Sequence, residues 1–526
     1  MTIRVFRHGR IHTGAAERPA EAFAVRAGQI LAVGSEAQVR RAVGTGAEVV
    51  DLEGAAVIPG IADAHLHSGL LSRGLVSVDL RTATSSAECA RRLADHVAGW
   101  PSTRWAFGGL WDANLWAAGD VPHRDVLDAV CPERSVALIS GDCHSMWVNS
   151  AALARLGIDA ATPDPPGGQI VRDDAGRATG LLLEAARHPV EAIEGSDAGG
   201  DLRELLRRGQ EHLLSLGLTS VTCFDGEDVR EAYLDLHRAG ELRLRVRKSI
   251  PAAALESAVA EGRRTGDGDD WFRTGAVKIF TDGALGSHTC HMSHEFDGEP
   301  GNAGMCVTPP AELDRLVGLA CSNGIAVAAH AIGDRAISDV LDAFERSRET
   351  WWRRLRHRIE HVQHVDPADL PRMAALGVVA SMQPAHAPSD IDLVESLLAG
   401  RGLLSYAWNS VRAAGIALTF GSDAPVETAD PFEGLGAAVL RTRADGTPAG
   451  GWQPHERLTM RQALHAYTTS PADPMGEGRV GAIAPGRLAD VVVLDRDPFG
   501  EAPESVRSTR VLQTWVAGEC RYERRT

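Results

Sequence analysis

The chain has 526 residues, 44% hydrophobic and 24% charged, with a formal charge of -16 and an isoelectric point near 5.7. A net negative surface is not drawn to phosphate backbones or anionic membranes, and no basic stripe offsets it, so neither nucleic acid nor membrane is expected as a partner. No apolar run reaches the roughly 18 residues of a membrane span, the first residues lack the apolar stretch of a secretory signal, and the eight cysteines are scattered without a C-x-x-C pair. Reduced thiols and a cytoplasmic location are the expectation.

The first 56 or so residues alternate short strand-like runs with glycine turns, and 22–34 reads as a hairpin. The C-terminal runs 487–495 and 514–518 have the same character. Neither end has enough strands to bury a face alone, so residues 1–56 and 480–526 are predicted to pair into one small β-domain. Between them, in 57–479, apolar strand runs are expected at 57–65, 219–224, 243–250, 276–281, 325–331, 358–362, 378–382 and 416–421. Segments of helical period such as 227–239, 311–322 and 335–346 follow them. Eight β-then-α units predict parallel strands closed into a (β/α)8 TIM barrel, whose functional groups gather at the C-terminal ends of the strands. One connection is too long for a crossover. The stretch from about 70 to 200 is an insertion after the first barrel strand, holding Trp100, Trp105, Trp111, Trp116 and Trp147 and a Pro/Gly-rich segment at 162–168. The clustered tryptophans read either as the core of that insertion or as a lid over the barrel mouth.

Chemistry-bearing residues fall at the predicted strand ends. His65-Leu66-His67 closes the first run, and strand alternation puts both imidazoles on one face, as a zinc-class ion requires. His330 ends the fifth run, His361 the sixth, and Asp423 follows the eighth. Only two of the 54 basic residues are lysines, Lys248 and Lys278, and Lys278 lies in the fourth run. A buried lysine, unlike arginine, can lose its proton and react with carbon dioxide to give an anionic carbamate.

These residues and their contexts resemble the amidohydrolase superfamily, specifically its family 3 (YtcJ-like) branch, which includes N-substituted formamide deformylases. The similarity runs through 57–67, Gly109-Leu-Trp-Asp112, 142–150, 277–286, 330–336, 359–363, 421–426, 481–486 and Ala489-Asp490. The resemblance implies a (β/α)8 barrel, a small β-sandwich built from both termini, and a divalent metal centre, zinc with one or two ions, in the barrel mouth. Carried over by position, His65, His67 and Asp423 hold one ion, His330 and His361 a second, and carboxylated Lys278 bridges them. The implied reaction is metal-assisted hydrolysis by activated water, with Asp423 as general base and then general acid. His144, in the insertion, is expected to donate to the carbonyl oxygen or to another polar group of the substrate, with a structural hydrogen bond as its alternative role. Trp111, His288 and His386 are the other expected substrate contacts.

The loop after the lysine strand departs from the family pattern. It reads Asp282-Gly-Ala284-Leu-Gly-Ser-His288 where a serine and an arginine are common, which argues against an acidic substrate group there. The nearby Cys290, His291 and His294, with His288, match no zinc spacing cleanly and read as a solvated or substrate-lining loop. A ring deaminase would want a glutamate at position 333, which is glycine. The expectation is therefore a metal-dependent amidohydrolase cleaving a C–N bond of a small N-acyl or N-formyl substrate. Hydrolysis of a lactone, cyclic imide or carbamate is the alternative, and a non-catalytic metal-binding scaffold a further one. A homodimer is an admissible assembly.

Overall fold

At Gly60 the chain changes sheets. In the computed structural model, which describes residues 2–14, 18–101, 103–190, 193, 201–351, 355–468 and 478–525, the run expected as one strand over 57–65 is two. Ala56–Pro59 pairs with Arg10–Ile11 and with Val491–Leu494, whereas Ile61–Leu66 (β1) enters the barrel beside Leu218–Cys223 (β2). A Cβ at position 60 would stand 2.3 Å from Thr219 Oγ1, so the crossing chain can lie against β2 only as glycine.

The barrel continues through Arg245–Pro251 (β3), Phe272–Phe280 (β4), Val327–Ala331 (β5), Arg358–His361 (β6), Val379–Met382 (β7) and Ala417–Phe420 (β8). All eight strands are parallel and neighbours in sequence order, as the β/α rhythm requires. Helices Glu227–Arg238, Pro310–Ser322 and Asp334–Arg346 cover the sheet where helical periods were expected. β8 and β1 share no ladder; their seam is sealed beyond the strand ends. Asp423 N–H donates to His65 O at 2.7 Å, His67 N–H to Ala424 O at 2.8 Å, and Ser422 Oγ to Asp63 Oδ2 at 2.5 Å. Gly421 permits this approach, since a Cβ there would meet His65 N at 2.4 Å.

Both termini build the smaller unit. A four-stranded sheet from the N-terminal region faces a five-stranded sheet that mixes Arg10–Ile11 and Ala56–Pro59 with Val491–Leu494, Val511–Val516 and Glu519–Glu523. Their shared core stacks Phe6 on Phe23 at 4.4 Å with Trp515 edge-on at 4.8 Å from Phe6. This sandwich is tied to the strand-start end of the barrel by a buried ion pair, Arg245 Nε to Asp490 Oδ2 at 2.6 Å.

The insertion folds into a six-stranded sheet. Its outer face packs Trp111, Trp116 and Trp147 with Leu80 and Leu93, and its inner face packs Phe107, Ile139 and Met146 toward Leu70 and Val426 of the barrel mouth. The expected end of the insertion near residue 200 lies outside the described residues; helix Leu202–Ser215 then leads into β2. Among the described residues no helix is long and apolar enough to cross a membrane.

Candidate metal centre

The ends of β1, β4, β5, β6 and the loop after β8 converge on Asp423. Its Oδ1 lies 3.4 Å from His65 Nε2 and 3.6 Å from His67 Nε2. The other oxygen, Oδ2, lies 3.5 Å from His386 Nε2 and 4.0 Å from His361 Nδ1. Both histidines that face Asp423 from the end of β1 and the residue after it have their far nitrogen occupied. Glu360 Oε2 lies 2.7 Å from His65 Nδ1, and Asp225 Oδ1 3.5 Å from His67 Nδ1. Glu360 is itself gripped by Arg358, whose Nε donates to Oε1 at 2.7 Å and Nη2 to Oε2 at 3.0 Å. A carboxylate behind the imidazole fixes the Nδ1–H tautomer and leaves Nε2 as the free lone pair, the arrangement metal-binding histidines use.

His361 and His330 lie against this group, with ring centroids 4.3 Å apart and His65 4.9 Å from His361. His330 Nε2 lies 3.0 Å from Gly283 O, so that nitrogen carries the proton and Nδ1 is the one left for an ion. Backbone φ is positive at His361 (77°), Val362 (47°) and Asp423 (59°), an uncommon conformation held where chain turns abruptly out of a strand. Burial holds the imidazoles of His65, His330 and His361 well below the usual histidine range, with Lys278 adding to the effect for the first two and His330 for the third. All three are neutral at pH 7, the state a cation needs.

The donor set fits a divalent ion. His361 Nδ1 and His386 Nε2 are buried without a hydrogen-bond partner, and the ligand atoms of His65, His361 and Asp423 all lie within 4.8 Å of one another. Two nitrogens and a carboxylate at that spacing leave polar atoms unsatisfied until a cation is shared among them. Lys278 sits at the same place. Its Nζ is 3.3 Å from His65 Nε2 and lies over the rings of Phe224 and Phe280 at 4.6 and 4.7 Å, with no carboxylate paired to it among the described residues. Burial pushes its ammonium down to about 8.

His144 reaches the site from the insertion, its ring 5.2 Å from that of His330. Glu184 Oε2 lies 2.9 Å from its Nδ1, and Thr289 Oγ1 donates to the other oxygen of Glu184 at 2.8 Å. Burial opposes a charge on His144, but Glu184's charge and hydrogen bond outweigh it, so the imidazole is raised above its ordinary value. His386 also stands where a substrate contact was expected, beside Asp423 and with Gln363 Nε2 3.4 Å from its Nδ1.

Two expected substrate contacts are not brought together with this group. Trp111 is buried in the insertion's own core, 5.9 Å from Trp116 and 6.0 Å from Trp147, and its indole N–H is spent on Leu138 O at 2.8 Å. His288 pairs with Glu299 Oε1 at 2.5 Å within its own loop. Nor do His288, Cys290, His291 and His294 converge: Cys290 is buried against Met292, and His294 Nδ1 pairs with Ser293 Oγ at 2.8 Å. The supporting carboxylates Glu184, Asp225 and Glu360 were not anticipated. Glu360 alone carried a signal, as an acidic residue inside an apolar strand run, where unpaired charge is rare.

Fold and site together define a metal-dependent hydrolase of the TIM-barrel type, and the chain belongs to the amidohydrolase family, whose profile matches residues 48–522. It is 33% identical to the N-substituted formamide deformylase of Arthrobacter pascens, over 96% of this chain and 95% of that one. It is also 33% identical to the protein LONG AFTER FAR-RED 3 of Arabidopsis thaliana, over 98% of this chain and 91% of that protein. Among solved structures, an uncharacterised metal-dependent hydrolase from Pyrococcus horikoshii OT3 superposes with a TM-score of 0.79 at 29% identity, covering 95% of this chain and 99% of that one. Family and site together support a divalent metal in the barrel mouth.

Proposed function

We propose that the protein hydrolyses the carbon–nitrogen bond of a small N-acyl or N-formyl amine, with zinc as its ion and Lys278 carboxylated. The observation that carries this reading is the sharing of Asp423: one carboxylate oxygen faces His65 and His67, the other His361 and His386. His65, His67, His330, His361 and Asp423 would hold the metal. A divalent ion there would polarise a carbonyl and lower the pKa of water from 15.7 to roughly 7. Asp423 would accept a proton from the attacking water and return it to the departing nitrogen, serving as base and then acid. His144, anchored at Nδ1 by Glu184, whose charge raises the imidazole above its ordinary value, would offer Nε2–H to the carbonyl oxygen. For Lys278, a bare ammonium beside a cation would repel it, whereas a carbamate brings a negative charge and two oxygens to the same position. The similarity to an N-substituted formamide deformylase favours a formyl or small acyl group.

Incubation with a panel of N-formyl and N-acetyl alkylamines, reading release of formate or acetate, tests the reading. Turnover that is lost on chelation and restored by zinc is expected. A protein that binds metal tightly yet cleaves no amide, ester or imide contradicts it.

A further inference from the structure

Behind the loop that carries Asp423 is a cavity of about 220 Å³, lined by Leu70, Val78, Leu110, Ile139, Met146 and Glu427 among others. Helix Ser68–Gly74, the inner face of the insertion sheet and the loop after β8 frame it. Its walls are largely apolar, and the charges on them differ in one respect. Arg73 is held by Asp228 at 2.8 Å, and Arg81 is forked onto Asp79 through Nε at 3.0 Å and Nη2 at 2.6 Å. Glu427 accepts a hydrogen bond from Ser389 Oγ at 2.6 Å but makes no ion pair among the described residues. Burial, with Asp390 and Asp423 nearby, pushes its carboxyl up to about 7 against the opposing hydrogen bond of Ser389 and charge of Arg81.

Glu427 is also near the chemistry. Ser389 lies one turn beyond His386 on helix His386–Leu397, and His386 Nε2 is 3.5 Å from Asp423 Oδ2. The charge of Asp423 also acts on the Glu427 carboxyl across this short path. An apolar cavity of ~150 Å³ holds benzene, so this one has room for a phenyl ring or a six-carbon chain. Glu427 is half-buried and makes no ion pair of its own among the described residues, so a ligand that brings a cation to it gains a charge-assisted contact.

We propose that this cavity receives the apolar arm of the substrate and that Glu427 pairs with an ammonium at the end of that arm. The preferred substrates are then N-acyl or N-formyl derivatives of amines that carry a second basic nitrogen. This rests on the amide-hydrolase reading above. It is tested with two formamides of matched length, the monoformyl derivative of the terminal hexanediamine and N-formylheptylamine, on the metal-loaded enzyme. The kcat/KM of the first is expected to exceed that of the second by about tenfold or more, and the ratio to collapse toward one in Glu427→Gln. Equal rates in the native enzyme, or a preference that survives in Glu427→Gln with its metal content intact, would overturn the assignment. Calorimetric titration with heptylammonium against heptan-1-ol reads the cavity without turnover. Tighter binding of the ammonium to the native enzyme, lost in Glu427→Gln, upholds the pocket even if neither formamide is cleaved, a result that would count against the amide reading alone. Equal binding of the two counts against the pocket alone.

Discussion

Asp423 touches more of the centre than any other side chain, but Lys278 is the residue whose state decides what the centre is. As an ammonium it lies 3.3 Å from an imidazole nitrogen and over two ring faces, with no carboxylate paired to it among the described residues. Lys278→Ala should therefore lose bound metal and hydrolysis together, by about a thousandfold or more in kcat/KM, with partial rescue by formate or acetate; plasma emission spectrometry and a formate-release assay check it. Full activity in that variant without added carboxylate would remove the lysine from the centre. Most of these residues were legible in the sequence because they lie at or near the ends of strand runs, where a barrel places its chemistry. Glu184 was not. It meets His144 across 40 residues through a sheet inside the insertion, and no local pattern marks such a pairing. Trp111 was misread for the opposite reason, since its motif stands in the sequence beside Asp112 while its indole faces the insertion's own core.

At the scale of elements, the seam between β8 and β1 positions the ligands. Gly421→Ala would force Cβ onto His65 N and Asp63 Oδ1, displacing the first ligand strand. A loss of about 1–3 kcal/mol in urea denaturation, with reduced metal content, is expected. The eight strands were readable from apolar runs and helical periods, but the break at Gly60 was not, because Thr219, distant in sequence, imposes it. Buried histidines outside the centre give β5 and its neighbours a pH response. His357 Nδ1 accepts Val327 N–H at 3.0 Å, and burial lowers its pKa to about 3; His364 is lowered likewise to about 3. Both are neutral when folded, while the unfolded chain takes up their protons below about pH 6.5, so it binds more protons than the folded chain between pH 6.5 and 3. Stability from these two groups is full above pH 6.5 and falls with pH through that window, by up to about 1.4 kcal/mol per pH unit for each. Urea midpoints for the native protein and His357→Gln should diverge less at pH 5 than at pH 7. An unchanged difference would deny His357 its neutral, accepting role.

Across the whole molecule, the chain leaves the terminal sandwich for the barrel at Gly60 and returns to it before Val491, and a buried ion pair ties the two units together. Asp490 accepts both Arg245 Nε and Nη2, at 2.6 and 2.8 Å, and also Ala517 N–H at 2.8 Å. Asp490→Ala leaves a guanidinium buried without its partner and should cost about 3–5 kcal/mol in equilibrium unfolding, much of it recovered when Arg245 is replaced by methionine in the same chain. The insertion, by contrast, brings His144 and the wall of the Glu427 cavity to the barrel mouth. β1, β4, β5, β6 and the loop after β8 converge on one centre, where the proposed function puts a divalent ion beside a carboxylated lysine. Diffraction data collected above and below the zinc absorption edge test it most directly. An anomalous peak among His65, His67, His361 and Asp423, with forked density beyond Lys278 Nζ, is the predicted result. No peak in zinc-supplemented crystals, and a bare amine pointing away from Asp423, would contradict it.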